Sequence, residues 1–525
     1  MSQEERIQHL PGWIKRVSNL VKKLRFPGKI IYMIVSVLAT LWFLFRVIPK
    51  PSRATYPCMQ VAAPMMSGFV IWVLSLGGAA LALKKARYYL FRARYIAAGL
   101  FLILGMVAVY VFNVQSAVKS KAAGIEIWYK PNVPLGIARG IHPGRVAWGH
   151  NPGMATWDGK TGFWWEDRFN DQVATDKLLA QTINSLTGID NEKESWDALF
   201  RFFNKTKHNT DAGYQTGEKI AIKINLNNTY SHESNHEINA NPFLVLSLLK
   251  SLVNTAGVPQ EDITVADPSR FMTDNVYDKC HSLYPDVHYV DHNGGDGREA
   301  ASFVPNAIPY SVDNGKVATG LASCMVDADY VIDMALMKGH VSQGVTLCAK
   351  NFFGCTSIED DWHKNAHSSG FSQNKQGLHT YSVYPDYMGH KDLGGKTMLF
   401  LIDGIYSNKF VDKPPAYKWA LAPFNNDWPC SLFASQDGVA IDAVVLDFAL
   451  TEWPDAPDMM YSDYYLNESA LADNPPSGTV YDPERDGSRL TSLGVSEHWN
   501  NPTDKKYTRN LKTGDGIELV YKKIK

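Results

Sequence analysis

Between Lys338 and Cys355 the chain reads KGHVSQGVTLCAKNFFGC, which sets Lys338, His340, Thr346, Lys350 and Asn351 among three glycines and two cysteines. Lysine ammonium groups, with small residues that let the backbone come close, suit an anionic group such as a phosphate or carboxylate. His340 is the side chain able to move a proton near neutral pH or to ligate a metal. Other polar residues close apolar runs: Lys223 and Asn225 in KIAIKINL, Asp267 in DITVAD, Asp403 in TMLFLID, and Ser435 with Asp437 in CSLFASQD. In open α/β sheets ligands bind beyond the carboxyl ends of strands, so these residues form the expected site. His340, Lys350 and Lys338 are its expected catalytic groups. Lys223, Asn225, Thr346 and Asn351 are expected to bind the ligand. Asp267, Asp403 and Asp437 are expected to hold a divalent metal or orient the lysines.

Two pairs of histidines four apart lie outside the apolar runs, His232 with His236 and His363 with His367. On a helix that spacing would let a divalent ion bridge two imidazoles, but both pairs sit in Asn/Ser-rich segments without an HExxH pattern. His379, His390, Asp360, Asp361 and Asp386 lie near the second pair in sequence. The chain has six cysteines and no CxxC, so spacing does not support an iron–sulfur cluster or a thioredoxin motif. Cys348 and Cys355 are candidates for a disulfide in an oxidising compartment, with buried free thiols as the commoner outcome. GxGxxG, GxxxxGK[ST] and GxSxG are absent, leaving nucleotide binding and serine hydrolysis without motif support.

The elements that must position these groups are short β-branched runs alternating with helical patterns. Strands are expected at Lys219 to Leu226, Asp262 to Asp267, Val287 to Asn293, Ala328 to Lys338, Thr397 to Tyr406 and Cys430 to Asp437, with a last one in GIELVY. Helices are expected at Asp176 to Leu186, Trp196 to Lys205 and Val439 to Leu450. Another runs from Pro242 to about Ala256, with Asn241 as N-cap, proline in the first turn and Gly257 as stop. Strands apolar on both faces that alternate with helices imply an α/β domain with a mixed or mostly parallel sheet flanked by helices. From Ile125 to about Phe169 the chain is rich in Gly, Pro and Trp and reads as irregular entry structure.

The 525 residues carry 52 Lys+Arg against 53 Asp+Glu, and this balance gives no reason to expect nucleic acid as a partner. That average hides an apolar N-terminal part. Ile30 to Ile48, Val61 to Leu83 and Tyr95 to Val118 are each about long enough to span a bilayer, and lysines and arginines crowd alternate loops. The sequence therefore predicts a basic cytoplasmic N-terminus (1–29), a transmembrane segment of about three helices (30–118), an aromatic entry region (119–215) and the α/β domain (216–525). The lipid bilayer is an expected partner. The chain is expected to be a multi-pass membrane protein whose large domain lies outside the cytoplasm.

The pieces IKINL, VADPSR, KGHVSQGVTLCAKNFFG, GHKDLGGKTMLFLIDGIY, SQDGVAIDAVVLDFA and LGVSEHW, with the helix opened by Asn241 and Pro242, occur in this order over roughly residues 219 to 525. In them the chain resembles the domain of unknown function 362 family, in a membrane-anchored form without the ferredoxin module. The resemblance implies an α/β domain with no settled activity. It maps recurring polar positions to Lys223, Asn225, Asp267, Lys338, His340, Lys350, Asn351, Asp403, Asp437 and Asp442. Many relatives carry an iron–sulfur module, which this chain's cysteine spacing does not match. The expected function is binding of an anionic small molecule, with a divalent metal as candidate cofactor. The alternatives are a non-catalytic envelope scaffold, or redox work by Cys348 and Cys355 in a membrane complex.

Overall fold

The computed structural model describes Lys84, Lys85 and residues 130–524, apart from 228, 341–342, 358–379, 411–413, 455, 457–458 and 460. The chain divides into two units, Met1–Ala123 and Gly124–Lys525, and the architecture below belongs to the second.

Ten strands form one sheet. In chain order they are β1 (Arg145–His150), β2 (Ile220–Lys223), β3 (Ile263–Asp267), β4 (His288–Asp291), β5 (Glu299–Ala300), β6 (Tyr330–His340), β7 (Gly344–Thr346), β8 (Thr397–Asn408), β9 (Ser431–Ser435) and β10 (Glu518–Lys523). Across the sheet the order is β10-β1-β9-β8-β6-β2-β3-β4-β5, and β7 folds back on the end of β6. Seven of the predicted runs are strands, and the sheet is mostly parallel: only β7 and β9 run against the rest. The central strands β6 and β8 are almost wholly buried, as expected for strands covered on both faces.

Side-chain alternation sends each strand into two cores. On one face Ile220, Ile222, Val265, Ile332, Leu399 and Leu401 pack under α1 (Gln172–Thr187), α2 (Glu192–His208), α3 (Pro242–Lys250) and α4 (Asp274–His281). On the other, Ala221, Ala266, Val331, Ala335 and Phe400 meet α5 (Cys348–Asn351), α6 (Tyr384–Gly389), α7 (Gly438–Glu452) and α8 (Ser462–Ala470). Helix α7 is buried from Gly438 to Leu450 because its sequence is apolar all round. The start of α3 matches its sequence signals: the Asn241 side chain accepts from the Phe243 N–H at 2.9 Å. Its final turn, Ser251–Ala256, is a π-helix stopped by Gly257 at φ 81°, a backbone conformation that costs glycine little.

Three sequence readings change. Arg145–His150, read as irregular, is a strand between β9 and β10. Its Gly and Pro neighbours masked the short apolar run. The N-terminal transmembrane segment is not supported: among the described residues no helix is long and apolar enough to cross a membrane. The expectation of a multi-pass membrane protein is corrected accordingly. The three apolar stretches on which it rested lie outside the described residues.

Candidate functional site

Lys223 is the last residue of β2 and stands opposite Asp333 of β6 in register. Both alternate with residues of the α5/α7 core, so both side chains enter the same layer. Lys223 Nζ lies 3.1 Å from Asp267 Oδ1 at the end of β3, with both side chains buried. The ammonium also donates to Asn351 Oδ1 at 3.0 Å, and Asn225 Nδ2 donates to that same oxygen at 2.9 Å. Asn351 Nδ2 in turn donates to Asp333 Oδ1 at 2.6 Å. Asp267 Oδ2 accepts the Leu226 N–H at 2.7 Å, fixing the turn out of β2. Five side chains from four segments thus form one buried network, and buried charges persist when paired in this way.

Helix α5 brings Asn351 and Lys350 to this network. Asp442 of α7 anchors its N-terminus by accepting the Cys348 N–H at 2.8 Å and the Ala349 N–H at 3.0 Å, a carboxylate meeting unspent helix donors. The next turn carries Gly354 against the ion pair. A Cβ there would lie 2.8 Å from Lys223 Nζ and 2.7 Å from Asp267 Oδ1, so the glycine of KNFFGC is required for space.

Lys350 rests its ammonium 4.1 Å from the centre of the Phe353 ring, and it has no ion pair or hydrogen bond among the described residues. Burial pushes its pKa well below the ordinary lysine value. The charges of Lys338, Arg270 and Lys223 add to this, and Asp267 opposes them. Burial pushes Asp333 the other way, well above the usual carboxylate range, against the pull of Asn351 and Lys223. The rim therefore holds an excess of basic groups. Lys338, paired in register with Thr346, donates to its hydroxyl at 3.2 Å. His340 closes the β6–β7 hairpin, its Nδ1 accepting the Gln343 N–H at 3.2 Å.

Two expected residues do not join this cluster. Asp403 alternates with Leu401 and Ile405, so its carboxylate enters the opposite face of the sheet. There it accepts the Asn241 N–H at 2.9 Å and the Ile405 N–H at 3.0 Å. Asp437 follows β9, which runs antiparallel, so it lies at the other rim. It caps α7 and also accepts from Arg139 N and Val495 N. Asp267, Asp403 and Asp437 therefore share no metal site. Among the described residues no group of three His, Cys, Asp or Glu side chains could hold a metal ion. His232 and His236 separate as well: His232 Nε2 lies 2.8 Å from Asp291, whereas His236 stacks on Phe163. His363, His367 and His379 lie outside the described residues. His390 hydrogen-bonds the Ala307 carbonyl, and Asp386 holds Ser311 and Tyr381. Cys280, Cys324, Cys348, Cys355 and Cys430 are free thiols, and burial pushes those of Cys348 and Cys355 well up, away from the reactive thiolate.

Sequence reasoning missed Asp333 and Arg270. The signal for Asp333 was an acidic residue inside the apolar run ADYVIDMALMK; Arg270 closes VADPSR beside Asp267.

The C-terminal LGVSEHW segment has a structural role. His498 lies between Asp447 at 2.6 Å and Asp463 at 3.0 Å. Burial opposes its charge, but the two carboxylates outweigh burial and raise the imidazole from 6.5 to about 10. Its folded pKa is raised, so its stabilising contribution is full below 6.5 and is lost as pH rises through about 10. Urea unfolding at pH 6 and pH 9.5 should show a larger loss on going to alkaline pH in the wild type than in His498→Gln.

The second unit is thus an α/β domain with a mostly parallel sheet between two helical layers and a basic cluster at its carboxyl rim. The family model described as Domain of unknown function (DUF362) matches residues 220–447, from β2 into α7, and this supports the family expected from the motifs. No curated protein and no solved structure matches the chain.

Proposed function

We propose that the domain binds a small anionic molecule at the carboxyl rim of the sheet, and that Lys350 is the group that meets it. The carrying observation is Lys350 itself: its ammonium rests on the Phe353 ring with no ion pair or hydrogen bond among the described residues, in the field of Lys338, Arg270 and Lys223 and opposed by Asp267. Asp333 is pushed toward its neutral form, and Asp442 spends its oxygens on the start of α5. An anion placed against Lys350 would restore its charge and offset the repulsion among the cations. Lys223 and Asn351 position the rim from beneath, while Lys338 and Arg270 add to its field. We read the chain as a form of the family without the ferredoxin module, on its lack of clustered cysteines. The test is calorimetric titration of the full chain with sulfate and with inorganic phosphate at low ionic strength. Saturable binding that weakens with added salt is expected; the absence of saturable heat with both anions would remove the proposal.

A further inference from the structure

The opposite rim of the sheet carries a separate cavity of about 460 Å³, where β8 begins and β9 ends. Phe202, Met388, Met398 and Leu493 give it apolar walls, and Arg139 and Lys207 supply its charge. No acidic residue is among the residues lining it. Asp437 is the carboxylate whose charge acts on Arg139, and its oxygens accept from the backbone N–H groups of Arg139, Val439, Ala440 and Val495. One Arg139 Nη donates to the Ser492 carbonyl, which tethers the guanidinium. Its Nε and other Nη have no partner among the described residues, and Lys207 has neither an ion pair nor a hydrogen bond among them.

We propose that this cavity binds an amphipathic carboxylic acid, with the carboxylate between Arg139 and Lys207 and the apolar body along the Phe and Met wall. The volume falls in the range of sites that enclose small organic ligands. A guanidinium with free N–H groups matches the two oxygens of a carboxylate. An apolar wall beside paired cations disfavours a small, fully hydrated anion such as sulfate, which distinguishes this site from the Lys350 rim.

The experiment is fluorescence titration of the full chain with dansyl-undecanoic acid and, in parallel, with its methyl ester. Saturable binding of the acid is expected, weaker by about tenfold or more for the ester, since one lost ion contact of about 1.4 kcal/mol is a factor of ten. Lys207→Glu, at an exposed position, should weaken the acid to a similar degree and leave the ester little changed. Thr206→Trp, also exposed and on the cavity lining, should block both, and Lys350→Met should affect neither. Equal binding of acid and ester, an unchanged affinity in Lys207→Glu, or no binding of the acid would each overturn the proposal.

Discussion

Replacing Lys223 by methionine is expected to lower the unfolding free energy by about 3–5 kcal/mol, the cost of removing one partner from a buried ion pair. The side chain is 1% exposed and its partner Asp267 3% exposed, so water cannot take the place of the ammonium. Asp267 Oδ2 would keep the Leu226 N–H, but Oδ1 would lose its charge partner. Asn351 Oδ1 would retain one donor, Asn225 Nδ2, of the two it has now. Adding Asp267→Asn should recover part of the loss, because asparagine keeps an acceptor for Leu226 N without the stranded charge. Urea unfolding of the single and double variants measures both effects. A single variant within about 1 kcal/mol of wild type would show that the pair is not closed to water as its burial requires.

Lys350→Met should do the reverse. The side chain sits among cations, and its burial disfavours the charge; removing it breaks no ion pair or hydrogen bond among the described residues, while the methionine stem keeps its contact with Phe353. Thermal stability should hold or rise. Sulfate affinity should fall about 10- to 100-fold, the worth of about 1.5–3 kcal/mol for a hydrogen bond to a charged group. A variant that unfolds at lower temperature with unchanged sulfate affinity would place Lys350 in the scaffold rather than at a ligand.

These two lysines also mark how far the sequence could be read. The strands and the start of α3 followed from β-branched runs and from Asn241-Pro242, because those signals are local. The meeting of Lys223 and Asp267 followed from a general rule about strand ends, and parallel neighbours β2 and β3 satisfied it; Asn351 was legible only as part of the Lys338–Cys355 segment. Asp437 broke the rule because strand direction is not written in a strand's own residues: β9 is antiparallel, and its carboxyl end points the other way. Asp403 failed for a finer reason. It is near the correct rim, but one step of alternation put it on the wrong face. Asp333 was hidden by its company, since a carboxyl within an apolar strand is explained only once its partner from another segment is known. His232 and His236 looked paired by spacing but have different neighbours, Asp291 and Phe163.

The most direct measurement is proton uptake on anion binding. Sulfate does not titrate near neutral pH, so protons taken up when it binds must come to groups of the protein. Calorimetric titrations in buffers of differing ionisation enthalpy, at mildly alkaline pH, should show an apparent enthalpy that varies with the buffer for wild type. The variation should vanish in Lys350→Met. An apparent enthalpy independent of buffer in the wild type, together with a sulfate affinity unchanged in Lys350→Met, would mean that the rim cations are not the anion's site.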